Sequence, residues 1–146
     1  MKPIWEVLLS KAEREVRIAQ QKLAEAQQKK NLAIERREKL DKLMAEYSEQ
    51  LRSVQLRSHS TGEVGNYQQF IAQLQSMTNR SKQELSAHEE DCAVARKYMM
   101  LREHERLKIE LLAQRERETI EFTARTRENR DIDSNALQKF NFKGRI

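Results

Sequence analysis

The sequence has one proline and three glycines in 146 residues. So few chain breakers exclude a fold of many short elements, because tight turns draw on Gly and Pro. One cysteine, Cys92, excludes an internal disulfide. Aromatic residues make up only 5% of the chain. No apolar run approaches the roughly 18 residues a membrane-spanning helix needs. The short run Val7-Leu8-Leu9 is flanked by Glu6, Lys11 and Glu13, which is not a signal-peptide pattern. The expected location is the cytosol.

What the chain has in quantity is charge, at 35%, beside an apolar fraction of 38%. That is too little for a thick core and too regular for disorder. Long helices that bury one narrow stripe satisfy both limits. The net charge of +5 is concentrated early, with 13 Lys or Arg against nine acids in the first 57 residues. The charges alternate, as in Glu13-Arg14-Glu15 and Arg115-Glu116-Arg117-Glu118, which is the solvated face of a long helix. A basic hairpin arm that grips nucleic acid is the alternative, and that alternation, with no aromatic interleaving, argues against it.

The first helix is expected over about 4–57. With Trp5 at heptad position d, the d residues are Trp5, Ala12, Ala19, Ala26, Ala33, Leu40, Tyr47 and Val54. The a residues are Leu9, Val16, Leu23, Lys30, Arg37, Met44 and Leu51. Register held this long specifies a coiled coil, and Pro3 suits a first helical turn. Lys30 and Arg37 need acids opposite or stems that reach out to water.

Ser58 to Asn66, with Gly62 and Gly65, is loop chemistry. A second helix is expected over about 67–130, followed by a C-terminal tail over 131–146: Asp131 to Asn135 ends the helix, Asn135 to Phe142 allows one more turn, and Phe140 to Ile146 is expected to be mobile. Its seam reads Tyr67, Ile71, Leu74, Thr78, Ser81, Leu85, His88, Cys92, Ala95, Met99, Arg102, Arg106, Ile109, Ala113, Glu116, Ile120. A frame through Phe70, Leu74 and Met77 competes at its start. Two long helices joined by a short loop lie antiparallel. The fold class is therefore all-α, one long two-helix antiparallel coiled-coil hairpin over 1–146. Folding about Gly62 sets Trp5 against Ile120, Val16 against Ile109 and Leu23 against Leu101. It also sets Lys30 and Arg37 near Glu89, Glu90 and Asp91.

No catalytic constellation, metal-ligand spacing or phosphate loop is present, so neither an enzyme nor a cofactor is expected. His59, His88 and His104 lie far apart, and Cys92 reads as a small seam residue. Apolar residues outnumber seam positions near the loop, at Leu43, Phe70 and Met77 beside Leu40, Tyr47 and Leu74. The surplus marks a partner surface or a widened seam. A second cluster, at the chain ends, joins Trp5, Leu8, Leu112, Ile120 and Phe122 with Arg125, Arg127 and Arg130.

Asn66-Tyr67-Gln68-Gln69-Phe70-Ile71, opening the second helix after a Gly-containing loop, resembles the hairpin motif of the FliJ family of flagellar export proteins. Ala12-Glu13-Arg14-Glu15-Val16 and Glu46-Tyr47-Ser48-Glu49-Gln50-Leu51 resemble the same family. The resemblance implies a stalk-like adaptor of the flagellar type III export apparatus, similar to the two-helix stalk of rotary ATPases. It implies as partners the hexameric export ATPase (FliI), the export gate protein FlhA and export chaperones, with no nucleic acid. It places the protein on the cytoplasmic side of the inner membrane at the flagellar base, held there through protein partners. Carried onto this chain, the gate contact would fall on Leu40, Leu43, Tyr47, Phe70, Leu74 and Met77. The ATPase contact would fall on Trp5, Leu8, Ile120, Arg125 and Arg127. Arg36 and Ser81 depart from the family's pattern, so no gate contact is carried onto them.

Overall fold

The computed structural model describes residues 3–57 and 61–143. They form two helices and, among the described residues, no strand: α1, Ile4–Arg57, and α2, Thr61–Lys143. The two pack against each other as an antiparallel hairpin. The chain divides into two compact units: unit 1, Met1–Arg17 with Leu101–Ile146, and unit 2, Ile18–Met100.

The heptad frame of α1 is the one the structure buries. Every d residue from Trp5 to Val54 and every a residue from Leu9 to Leu51 is buried or half-buried. Ala12, Ala19 and Ala33 are buried almost completely, because a methyl group lets the facing backbone approach closely. Lys30 and Arg37 stay half-exposed. Among the described residues no ion pair joins either to Glu89, Glu90 or Asp91, which are all exposed. Half-burial without such a partner fits stems laid along the seam with the charges in water.

On α2 the long frame also holds. Each of its members from Tyr67 to Glu116 is buried or half-buried, and only Ile120, 51% exposed, falls outside. The competing frame loses, since Phe70 and Met77 are off the seam. The polar members are accommodated locally. Thr78 donates its hydroxyl hydrogen to the Leu74 carbonyl at 2.8 Å, one turn back in the same helix.

The helix boundaries differ from the sequence expectation at both ends of α2. Of the expected loop, Ser58 to Ser60 (including His59) lie outside the described residues. From Thr61 the chain is already helical, not from Tyr67. Val64 stands one heptad before Ile71 and is half-buried, so packing there extends the seam through the loop-forming residues. No glycine among the described residues has a positive φ, so Gly65 is simply part of the helix. The helix also continues past Arg130 through Asp131–Asn135 to Lys143. Neither Gly nor Pro stands between Gly65 and Gly144. The Asp, Ser and Asn residues each weaken a helix by only about 0.7 kcal/mol or less relative to Ala.

Because α2 starts at Thr61, the helix pairing is not centred on Gly62. Cross-hairpin partners move accordingly. The start of α1 meets Glu116, one turn before the expected Ile120.

Candidate partner-binding surfaces

In unit 2 the residues singled out near the loop form one face. The Tyr47 ring sits 4.5 Å from Phe70 and 6.3 Å from Tyr67, centroid to centroid, at tilts of 54° and 49°. Tilted contacts of this kind suit aromatic quadrupoles. Tyr47 and Tyr67 are seam residues and half-buried; Phe70 leans over them from the flank, 39% exposed. Leu43 and Met77 are exposed at 39% and 51%. Leu40 is half-buried, and Leu74, at 3%, is inside the seam. Leu74 therefore supports this face from beneath and presents little of itself.

Heptad geometry puts Leu43, Phe70 and Met77 at one position, immediately before an a residue, and so on one flank of the two-helix layer. The other flank at this level carries Asp41, Ser48, Gln68 and Gln75, all exposed and polar. The surplus apolar surface is thus one-sided. A shallow groove of about 240 Å³ continues it, lined by Leu40, Met77, Arg36, Arg80, Ser81 and Glu84. The Arg36 guanidinium bonds the Glu84 carboxylate across it at 3.1 Å.

In unit 1 the second candidate cluster is only partly assembled. Trp5 is half-buried in the seam, and Leu8 borders a groove with Lys11, Ala12, Glu15, Arg102, Glu105 and Ile109. Ile120, Arg125 and Arg127 stand exposed on α2. Phe122, Thr123, Thr126, Arg127 and Arg130 line a small depression on that helix.

Sequence reasoning passed over the groups that hold unit 1 together. The Trp5 backbone N–H donates to Glu116 Oε2 at 3.1 Å, so a carboxylate of α2 caps the start of α1. Beside it Arg117 pairs with Glu6 at 3.1 Å. Further along, Arg102 reaches Glu15 at 3.1 Å and Glu105 at 2.9 Å. Arg106 binds Glu103 at 2.5 Å and Glu110 at 2.7 Å. The Arg106 hydrogen bond holds the Glu103 carboxyl below its ordinary range, and the same bond raises Arg106. The signal was present in the sequence: Arg102, Arg106 and Glu116 occupy seam positions where an apolar residue is the rule.

Among the described residues no group of three or more His, Cys, Asp or Glu is placed to hold a metal ion. Cys92 is buried and unpaired in a disulfide. Nor is any helix of the described residues long and apolar enough to cross a membrane.

A family model described as "Flagellar FliJ protein" matches residues 2–145. The chain belongs to the FliJ family. It is a flagellar export-related protein, and the family is a non-catalytic component of flagellar export. No curated protein and no solved structure matches the chain. In this FliJ-family chain, the segment from Asn66 to Ile71 supplies Tyr67 and Phe70 to the aromatic face and Ile71 to the seam beneath it.

Proposed function

We propose that this chain is a non-catalytic, stalk-like adaptor of the flagellar export ATPase ring (FliI). It contacts the membrane export gate protein FlhA through the face around Tyr47 and Phe70, and it escorts export chaperones. Trp5, Leu8, Ile120, Arg125 and Arg127 form the contact with the ATPase ring. The protein works on the cytoplasmic side of the inner membrane, bound there through its partners. The observation that carries this reading is the one-sided aromatic and aliphatic face of unit 2, on a chain of the FliJ family. Exposed apolar surface concentrated on one flank is the mark of a docking site.

The test uses exposed residues, so that folding is spared. Leu43→Ala with Phe70→Ala should lower capture of a soluble gate-protein fragment at least tenfold, with helicity by circular dichroism nearly unchanged. Undiminished capture by the doubly substituted protein would remove the gate contact from this face.

A further inference from the structure

Two adjacent residues of α2 hold the first turn of α1 by two different handles. Glu116 takes the backbone: its carboxylate accepts the Trp5 N–H at 3.1 Å. Arg117 takes the side chain, pairing with Glu6 in the same first turn at 3.1 Å. Near the other end of the α1 segment of unit 1, Glu15 is tied to Arg102 at 3.1 Å. Between these electrostatic ties the apolar seal is thin. Among the described residues, the buried apolar side chains of unit 1 are Ala12, Val16 and Ala113, all small. Three of the five seam residues from Arg102 to Glu116 are charged.

Opposite charges in contact with water lose their attraction as salt is added, whereas burial of apolar surface does not weaken in that way. We infer that Glu116 and Arg117 form a salt-sensitive clasp on the start of α1: closed, it keeps Trp5 and Leu9 against α2, and open, it frees that segment as an amphipathic strap. The inference stands apart from the partners proposed above, since it concerns contacts within unit 1 alone. The strap's apolar side chains, Trp5 and Leu9 with the exposed Ile4 and Val7, are then available together.

Trp5 is the sole tryptophan, so its fluorescence reads the clasp directly. Raising NaCl from about 20 mM to about 1 M contracts the Debye length from roughly 20 Å to roughly 3 Å. The expected result is a red shift of Trp5 emission and about a twofold rise in acrylamide quenching, with the far-ultraviolet dichroism nearly constant. Glu116→Gln and Arg117→Glu should each produce the open signal at low salt. Arg36→Glu, which removes an ion pair of unit 2, should not. Hydrogen exchange over 4–9 should quicken in the two clasp variants while exchange over 67–99 is unchanged, which separates opening from failure to fold. Trp5 quenching indifferent to salt, or unchanged in Glu116→Gln and Arg117→Glu at low salt, would overturn the clasp.

Discussion

Along α2, unit 2 and unit 1 use the same heptad geometry with opposite chemistry. The α2 seam of unit 2, from Tyr67 to Met99, carries no Lys, Arg, Asp or Glu. Three of its apolar side chains, Leu74, Leu85 and Cys92, are buried, as is Val54 on α1. Across the hairpin, among the described residues, unit 2 has one Arg–carboxylate pair, Arg36 with Glu84. Unit 1 has two such pairs, Glu15 with Arg102 and Glu6 with Arg117, and a carboxylate cap as well. Burial contributes roughly 25 cal/mol per Å² whatever the salt, while a part-exposed ion pair contributes at most about 1 kcal/mol and is screened. Unit 2 is therefore the stable half, and the charged seam of unit 1 trades strength for responsiveness.

The largest expected effect that tests this contrast is Leu74→Ala. Truncating that buried side chain should cost about 2–4 kcal/mol, read as a lowered midpoint in thermal or urea unfolding. A loss below about 1 kcal/mol would mean that unit 2 is not held by its seam. Arg102→Ala, the corresponding break in unit 1, should cost no more than about 1 kcal/mol, and less at high salt. An equal cost for the two substitutions would erase the distinction. Next comes a gain: Gly65→Ala should stabilise by about 0.5–1 kcal/mol. An added Cβ there meets nothing within 4 Å, and no positive φ is required of the residue. A destabilised Gly65→Ala protein would show that the start of α2 is not the helix described.

The smallest effect is a pH dependence at Glu103. Its folded-state carboxyl titrates below the ordinary value because Arg106 hydrogen-bonds the charged form. A depressed folded pKa means that the unfolded chain binds the proton first as pH falls. The contribution is therefore present above the ordinary carboxylate range and is lost as pH drops through the lower folded value. Melting points taken at descending pH should fall slightly less for Glu103→Gln than for the parent protein, and identical slopes would assign the acid sensitivity elsewhere.

Both seams were readable in the sequence, because three–four spacing is a property of the helix itself and survives odd members such as Lys30, Ser81 and Arg102. The reversal point was not. The residues from Thr61 to Asn66 prefer turns when taken alone, and half-buried Val64 and Tyr67 override that preference through contacts distant in sequence. Val64, one heptad before Ile71, is the sequence mark of the early start of α2. Leu43, Phe70 and Met77 were legible as a surplus beyond the seam, and heptad geometry then assigns them to one flank. The Glu116–Arg117 clasp was hidden for a different reason. Its partners are set by the exact reversal point, and moving that point by two residues replaces Glu116 with Ile120 opposite Trp5.

The described residues after Arg117 are, apart from Thr126, all exposed, although α2 runs on unbroken to Lys143. A helix without a neighbour has no tertiary transition of its own. It frays residue by residue and reforms within about a microsecond. On heating, this stretch should lose ellipticity as a broad slope, while the paired seams melt in a sigmoid. The calorimetric and van't Hoff enthalpies of the intact chain will consequently disagree, and they should converge once the stretch is removed or gains a binding partner.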